Sequence, residues 1–260
     1  MERAEVDVWL LPRPTSMPPL AWLDDAERSR AEALPPARAA EFVTARRLLR
    51  AVLGQRFGLP PGQVRLVARC ARCGGPHGQV RVLTGPAAVG RCVPDGRLAS
   101  AVRQCHVSVT RSGPLIAAAT AELPVGVDVE SVAAVTSAPV ADVALSAAER
   151  ERHAMLPRGD RPAHLARTWA RKEAVLKALG TGLELDPSTF TLTRPVTTVD
   201  APGGVSAVAV ADLVPGSGGD AATLGAAAVG GDAVGAVAVA GVARLTVRVH
   251  DGGAVVAGAE

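Results

Sequence analysis

The chain has 260 residues, 48% apolar, 20% charged and 2% aromatic, with a formal net charge of +3. That apolar share excludes wholesale disorder, and the length allows one or two domains of roughly 150 residues each with a real core. The weak, dispersed positive charge excludes a dedicated nucleic-acid binder, which needs a dense basic patch interleaved with aromatics, but suits a protein that handles anionic small molecules or an acidic partner.

The first twenty residues lack a basic segment followed by an apolar stretch, so no signal peptide is expected there. Val6 to Leu11 alternates and reads as a strand. Asp24 to Gly58 is helical in texture, broken at Pro35 and Pro36; in its second piece Phe42, Ala45, Leu49, Val52 and Leu53 recur at helical spacing. Arg38, Arg46, Arg47 and Arg50 lie off that stripe and read as a solvated basic face. Val107 to Ala119 and Val125 to Val129 read as two buried strands joined through Ala121-Glu-Leu-Pro124. Ser146-Ala-Ala-Glu149 is a capping-box pattern opening a helix to Leu156, and a further helix spans about Pro162 to Leu179, stopped by Gly180. Val205 to Val214 and Ala233 to Val242 read as strands, and the residues after His250 as a frayed tail. The apolar run from Ala233 to Ala243 is about half the length of a membrane span. Four cysteines do not make a disulfide scaffold, and a cytoplasmic location is expected.

Gly126-Val-Asp-Val-Glu130 puts two carboxylates on one face of a strand with valines on the other. Paired like charges there suit a bridging cation, and Mg²⁺ prefers oxygen ligands and leaves room for phosphates. In the helix before Gly180, at about 100° per residue, Trp169, Val175, Leu176 and Leu179 share an apolar arc. Glu173 and Lys177 border it as an i,i+4 pair, Lys172 falls inside it, and Arg171, Ala174 and Ala178 take the opposite side. The chain has two lysines, Lys172 and Lys177, against 26 arginines, with no Asn or Tyr and one Ile. A GC-rich genome explains Arg wherever a plain cation will do; these two lysines mark places where a compact ammonium is wanted. Acids and an amine so arranged suit phosphoryl chemistry.

Val125-Gly-Val-Asp-Val-Glu130, followed some forty residues later by Trp169-Ala-Arg-Lys-Glu-Ala-Val-Leu-Lys-Ala-Leu-Gly-Thr-Gly-Leu183, resembles the two signatures of the Sfp-type 4′-phosphopantetheinyl transferases, in an actinobacterial-like, GC-rich composition. The resemblance implies an α+β fold, a pseudo-dimer of two similar α/β subdomains with the coenzyme in the cleft between them. Subdomains of 1–119 and 120–250 are expected, with 251–260 as the tail. It implies transfer of 4′-phosphopantetheine from coenzyme A to a serine of apo acyl or peptidyl carrier domains of fatty-acid, polyketide or nonribosomal-peptide pathways. A monomer, without nucleic acid or membrane partners, is implied.

Carried over by position, Asp128, Glu130 and Glu173 become the Mg²⁺ ligands, Glu173 also the general base, and Lys177 the contact to the coenzyme A diphosphate. Val107-Ser-Val-Thr-Arg-Ser-Gly113 resembles the family's phosphate-gripping Ser-His-Ser segment, with Thr110 at the first Ser and Arg111 at the His. Arg keeps the cation and its donors but cannot lose its charge. Arg38 and Arg46 resemble the arginines that hold the 3′-phosphate. Gly74-Gly-Pro-His-Gly78 falls at the coenzyme-facing loop, from which His77 carries over, although Gln79-Val80 lack the usual basic residue and Pro.

Two rival readings stand beside this one. Arg111 and the altered loop suit a non-catalytic relative that binds coenzyme A or a carrier domain. Cys70, Cys73 and His77, with Cys92 or Cys105 as a fourth ligand, could form a zinc module, though a structural zinc site usually has two tight ligand pairs.

Overall fold

The computed structural model describes residues 3–68, 74–75, 78–83, 104–112, 115–192, 195–213 and 232–260. Strand β1 (Arg3–Pro12) leads to helices α1 (Asp25–Glu32) and α2 (Pro36–Phe57), the short hairpin β2 (Leu66–Ala68) and β3 (Val80–Val82), and the strands β4 (His106–Ser112) and β5 (Leu115–Ala121). Strand β6 (Val125–Ser131) opens the second half. After it come α3 (Val132–Ser137), α4 (Val140–Ala144), α5 (Ala147–Met155) and α6 (Arg161–Leu179), then β7 (Val196–Ala201), β8 (Gly204–Asp212) and β9 (Ala233–Ala240). Strand β10 (Arg244–Asp251) and α7 (Gly252–Ala257) end the chain.

Among the described residues, two four-stranded sheets form, β10-β1-β5-β4 and β6-β9-β8-β7. The period-two alternation of each strand decides which layer each side chain enters. Val6, Val8 and Leu10 of β1 and Ala117 and Ala119 of β5 meet Val125, Val127 and Val129 of β6 and Val237 and Val239 of β9, so the sheets pack face to face. The intervening residues face outward. Ile116 and Ala118 pack under α2, while Ala236, Ala238, Val208 and Val210 pack under α6. Each half runs from a strand through a long helix to further strands, β2 to β5 after α2 and β7 to β9 after α6, and in each the first strand pairs antiparallel with the last of these.

The local stop and start signals form as expected. Ser146 and Glu149 close a capping box on α5, and Gly58 and Gly180 end α2 and α6 with positive φ. Several expectations change. The run from Val107 to Ala119 is two antiparallel strands, β4 and β5. Of the basic face read on α2, only Arg38 is solvated; Arg46, Arg47 and Arg50 are buried. Arg50 is held by both carboxylate oxygens of Glu27 at 3.0 and 2.7 Å, and Arg47 stacks over Trp22 and pairs with Glu260. The opposite side of α6 is not free either, because Ala174 and Ala178 are buried against β6.

The end of the chain is ordered rather than frayed. Strand β10 pairs in parallel with β1, which returns 244–251 to the first sheet and out of a 120–250 unit. Asp251 caps α7, accepting from the Gly253 N–H at 2.7 Å, and Val255 and Val256 join the core beneath α2. Among the described residues, no helix is long and apolar enough to cross a membrane.

Candidate active site

The site grows from the edge strands of the two sheets, β4 and β6, which run side by side. Val107 faces the core under α2, so Ser108, Thr110 and Ser112 all point the other way, toward β6. Each finds a partner there. Ser108 Oγ accepts from the Val127 N–H at 3.0 Å, Thr110 donates to Asp128 Oδ1 at 2.8 Å, and Ser112 donates to Glu130 Oε2 at 2.6 Å.

On β6, Gly126, Asp128 and Glu130 share the face toward α6. A Cβ on Gly126 would stand 1.9 Å from the Ala174 carbonyl oxygen, so the missing side chain is what lets α6 lie against the strand. That approach brings the helix's polar border onto the acids. Lys177 Nζ donates to Asp128 Oδ1 at 2.6 Å and to the Val127 carbonyl at 3.2 Å, and Trp169 Nε1 donates to Glu130 Oε1 at 3.2 Å.

Burial, together with the charge of Asp128, raises the Glu130 carboxyl above its ordinary value, against the hydrogen bonds from Ser112 and Trp169 and the charge of Lys177. Burial also raises Glu173, with Lys177 opposing and Asp128 adding to the shift. Two half-buried carboxyls thus hold a proton more readily than an ordinary carboxylate does.

Beside this seam lies a cavity of about 400 Å³ lined by Arg30, Phe42, Arg46, Arg111, Lys177 and Thr181, among others. The guanidiniums of Arg30, Arg46 and Arg111 stand 5.3, 5.2 and 5.6 Å from the centre of one ring, Phe42. Arg46 also pairs with Glu27 at 3.3 Å. Its pKa falls to about 10, through burial and the nearby Arg50, Arg111 and Arg30, despite Glu27. Burial and the charges of Arg30 and Arg38 likewise lower Arg111. Arg30 Nε, Arg46 Nη1 and Thr181 Oγ1 are buried without a hydrogen-bond partner. Clustered cations and unsatisfied groups on one cavity wall favour an anionic, acceptor-rich ligand. A larger cavity of about 1020 Å³, walled by α2, β10 and α7, contains none of these residues.

The structure therefore brings together Asp128, Glu130, Glu173, Lys177 and Thr110, and places Arg46 and Arg111 on the adjoining cavity. Thr110 does not line that cavity; its hydroxyl serves Asp128. Arg38 is 64% exposed, pairs with Glu41 at 3.2 Å and lies off the cavity wall. His77, Cys70, Cys73 and Cys92 lie outside the described residues. Cys105 is a buried free thiol whose pKa burial pushes up.

Nothing local in the sequence marks Arg30 or Gln79 as a site residue. Arg30 sits in a short polar helix with no motif around it. Gln79 donates to the Lys177 carbonyl at 3.0 Å and so ties the β3 segment to the end of α6. Lys172 is fully buried and its role is structural. It pairs with Glu149 at 2.9 Å, donates to the carbonyls of Pro187 (2.6 Å) and Phe190, and lies over the Phe190 ring.

Among the described residues, no group of three or more His, Cys, Asp or Glu side chains stands together as a ready-made metal cage. Mg²⁺ does not need one, since it commonly takes one or two carboxylates and completes its shell with water and substrate phosphates. Asp128 is 2% exposed and its Oδ2 is buried without a partner. That unsatisfied oxygen, on a carboxylate whose charge acts on Glu130 and Glu173, fits a hard divalent cation.

Residues 124–204 match the model of the 4′-phosphopantetheinyl transferase superfamily. The matched segment starts just before β6 and ends at the start of β8, so it holds Asp128, Glu130, Glu173 and Lys177. It supports a phosphopantetheinyl transferase activity in general. No curated protein matches the chain.

Proposed function

We propose that the chain transfers the 4′-phosphopantetheine arm of coenzyme A to a serine hydroxyl of an apo acyl or peptidyl carrier domain, with Mg²⁺ as its metal, in the manner of the Sfp-type enzymes. One observation carries this reading: the acids of β6 meet Glu173 and Lys177 of α6 beside a cavity walled by four arginines, Arg30, Arg46, Arg81 and Arg111. The shared order of strand, long helix and returning strand, with the first strand paired antiparallel to the last, supports a pseudo-dimer with the site at the β4–β6 seam between its halves.

Arg30, Arg46 and Arg111 hold the phosphates of the nucleotide portion. Asp128, Glu130 and Glu173 would hold Mg²⁺, which would supply neutralising charge at the diphosphate. Glu173, its pKa raised by burial, accepts the proton of the carrier serine. The serine oxygen then forms its bond to the β-phosphorus, and the bond from that phosphorus to 3′,5′-ADP breaks. Lys177 places a compact positive charge beside the departing phosphate. Thr110 and Ser112 orient the carboxylates of Asp128 and Glu130.

The decisive experiment mixes purified protein, coenzyme A and Mg²⁺ with a panel of apo carrier domains and weighs the carriers. One phosphopantetheine added per carrier is expected, and Glu173→Gln should abolish the gain while the circular dichroism spectrum stays unchanged. No gain on any carrier would overturn the reading.

A further inference from the structure

Asp128 already has a counter-ion within the chain. Its Oδ1 takes both the Thr110 hydroxyl at 2.8 Å and the Lys177 ammonium at 2.6 Å, while Oδ2 is buried with no partner. Lys177 is anchored a second time, by the Val127 carbonyl at 3.2 Å. One carboxylate thus presents a neutralised oxygen and an unsatisfied one. A divalent cation arriving at the unsatisfied oxygen meets the ammonium across the same carboxyl group, and like charges a few ångströms apart in a half-buried place repel. The site offers the ammonium another anion nearby, because Lys177 also lines the arginine-walled cavity.

We infer that Lys177 couples the two ligands of the site: in the free chain it sits on Asp128 and weakens divalent-metal binding, and a diphosphate in the cavity draws it away and lets the metal bind tightly. The inference rests on the function proposed above and concerns the order in which its ligands assemble. The metal binds weakly alone and strongly after coenzyme A. By linkage, coenzyme A gains in affinity from the metal by the same factor. An arginine at 177 would spread the same charge over a planar, bidentate group and would remain on the carboxylate.

The test is Mn²⁺ binding, read from the electron paramagnetic resonance signal of the free ion, with no carrier domain present. Without coenzyme A, Lys177→Met and Lys177→Gln should each bind Mn²⁺ about tenfold more tightly than the wild type, within the usual range of coupling between sites. Lys177→Arg should bind as weakly as the wild type. Coenzyme A should strengthen Mn²⁺ binding in the wild type and do so much less in the two neutral variants. Circular dichroism establishes that each variant is folded, and two neutral variants guard against the loss of one. If the folded neutral variants bind Mn²⁺ no more tightly than the wild type, or if coenzyme A leaves wild-type affinity unchanged, the inference is overturned. Because these are binding equilibria, they are separable from the transfer reaction. Intact coupling without carrier modification would remove only the proposed function, and carrier modification without coupling would remove only this inference.

Discussion

Gly126 on β6 and Ala174 on α6 meet backbone to backbone: a Cβ on the glycine would come within 1.9 Å of the Ala174 carbonyl oxygen and 2.6 Å of the Ala178 nitrogen. This contact sets how near Glu173 and Lys177 come to the acids of β6. Gly126→Ala must push the helix off the strand, and overpacking of this kind costs about 1–3 kcal/mol or more. A lower urea midpoint at unchanged slope is expected, with weaker metal binding in the variant that remains folded.

Thr110 and Asp128 join the two sheets through a buried hydrogen bond. Thr110→Val removes the donor while keeping the shape, and a cost of about 1 kcal/mol is expected from a net hydrogen bond of this kind. Thr110→Ser should restore most of that stability in chemical denaturation. Recovery of transfer by Ser and not by Val would locate the effect in the hydroxyl rather than in packing.

Lys172 and Glu149 form a buried pair, and burial pulls the lysine pKa down while Glu149 supports it. Lys172→Met leaves Glu149 uncompensated and should cost about 3–5 kcal/mol, as when one partner of a buried pair is removed. The double variant Lys172→Met, Glu149→Gln should lose clearly less than the sum of the two single losses. Additive losses in the four-protein denaturation cycle would refute the pairing.

His153 of α5 and His164 of α6 face each other, Nδ1 to Nδ1, at 3.2 Å. Burial lowers both from the ordinary imidazole value of 6.5; Arg161 adds to the shift at His153, and His153, Arg152 and Arg167 add to it at His164, against Glu149. The unfolded chain takes up these protons near pH 6.5, before the folded chain does. Stability present above pH 6.5 is therefore lost as pH falls from there toward the lowered folded values. Thermal melts of His153→Gln should show a flatter dependence on pH in that window than the wild type, and an equally steep one would contradict this account.

Much of the site's chemistry was legible in advance. The alternation of β6 alone puts Asp128 and Glu130 on one face, and the i,i+4 spacing of α6 puts Glu173 beside Lys177. Lys172 falls within the apolar arc on helical geometry, and it is fully buried. These relations are set within one element, where backbone periodicity decides them. The basic face assigned to α2 fails for the complementary reason. Nothing local shows that Glu27 from α1, Trp22, and Glu260 from the chain's last residue cover those arginines.

The sequence by itself determined the helix caps and the faces of β6 and α6, and hence that Asp128 stands beside Glu130 and Glu173 beside Lys177. Only the tertiary structure decided that β4 lies along β6 and lends it three hydroxyls. It also decided that Arg30 joins Arg46 and Arg111 around Phe42, and that β10 returns to pair with β1. The physical reason is range. Periodicity and capping act over a few residues, whereas these contacts join segments brought together by burial of two sheets against each other. No local pattern encodes which edge meets which.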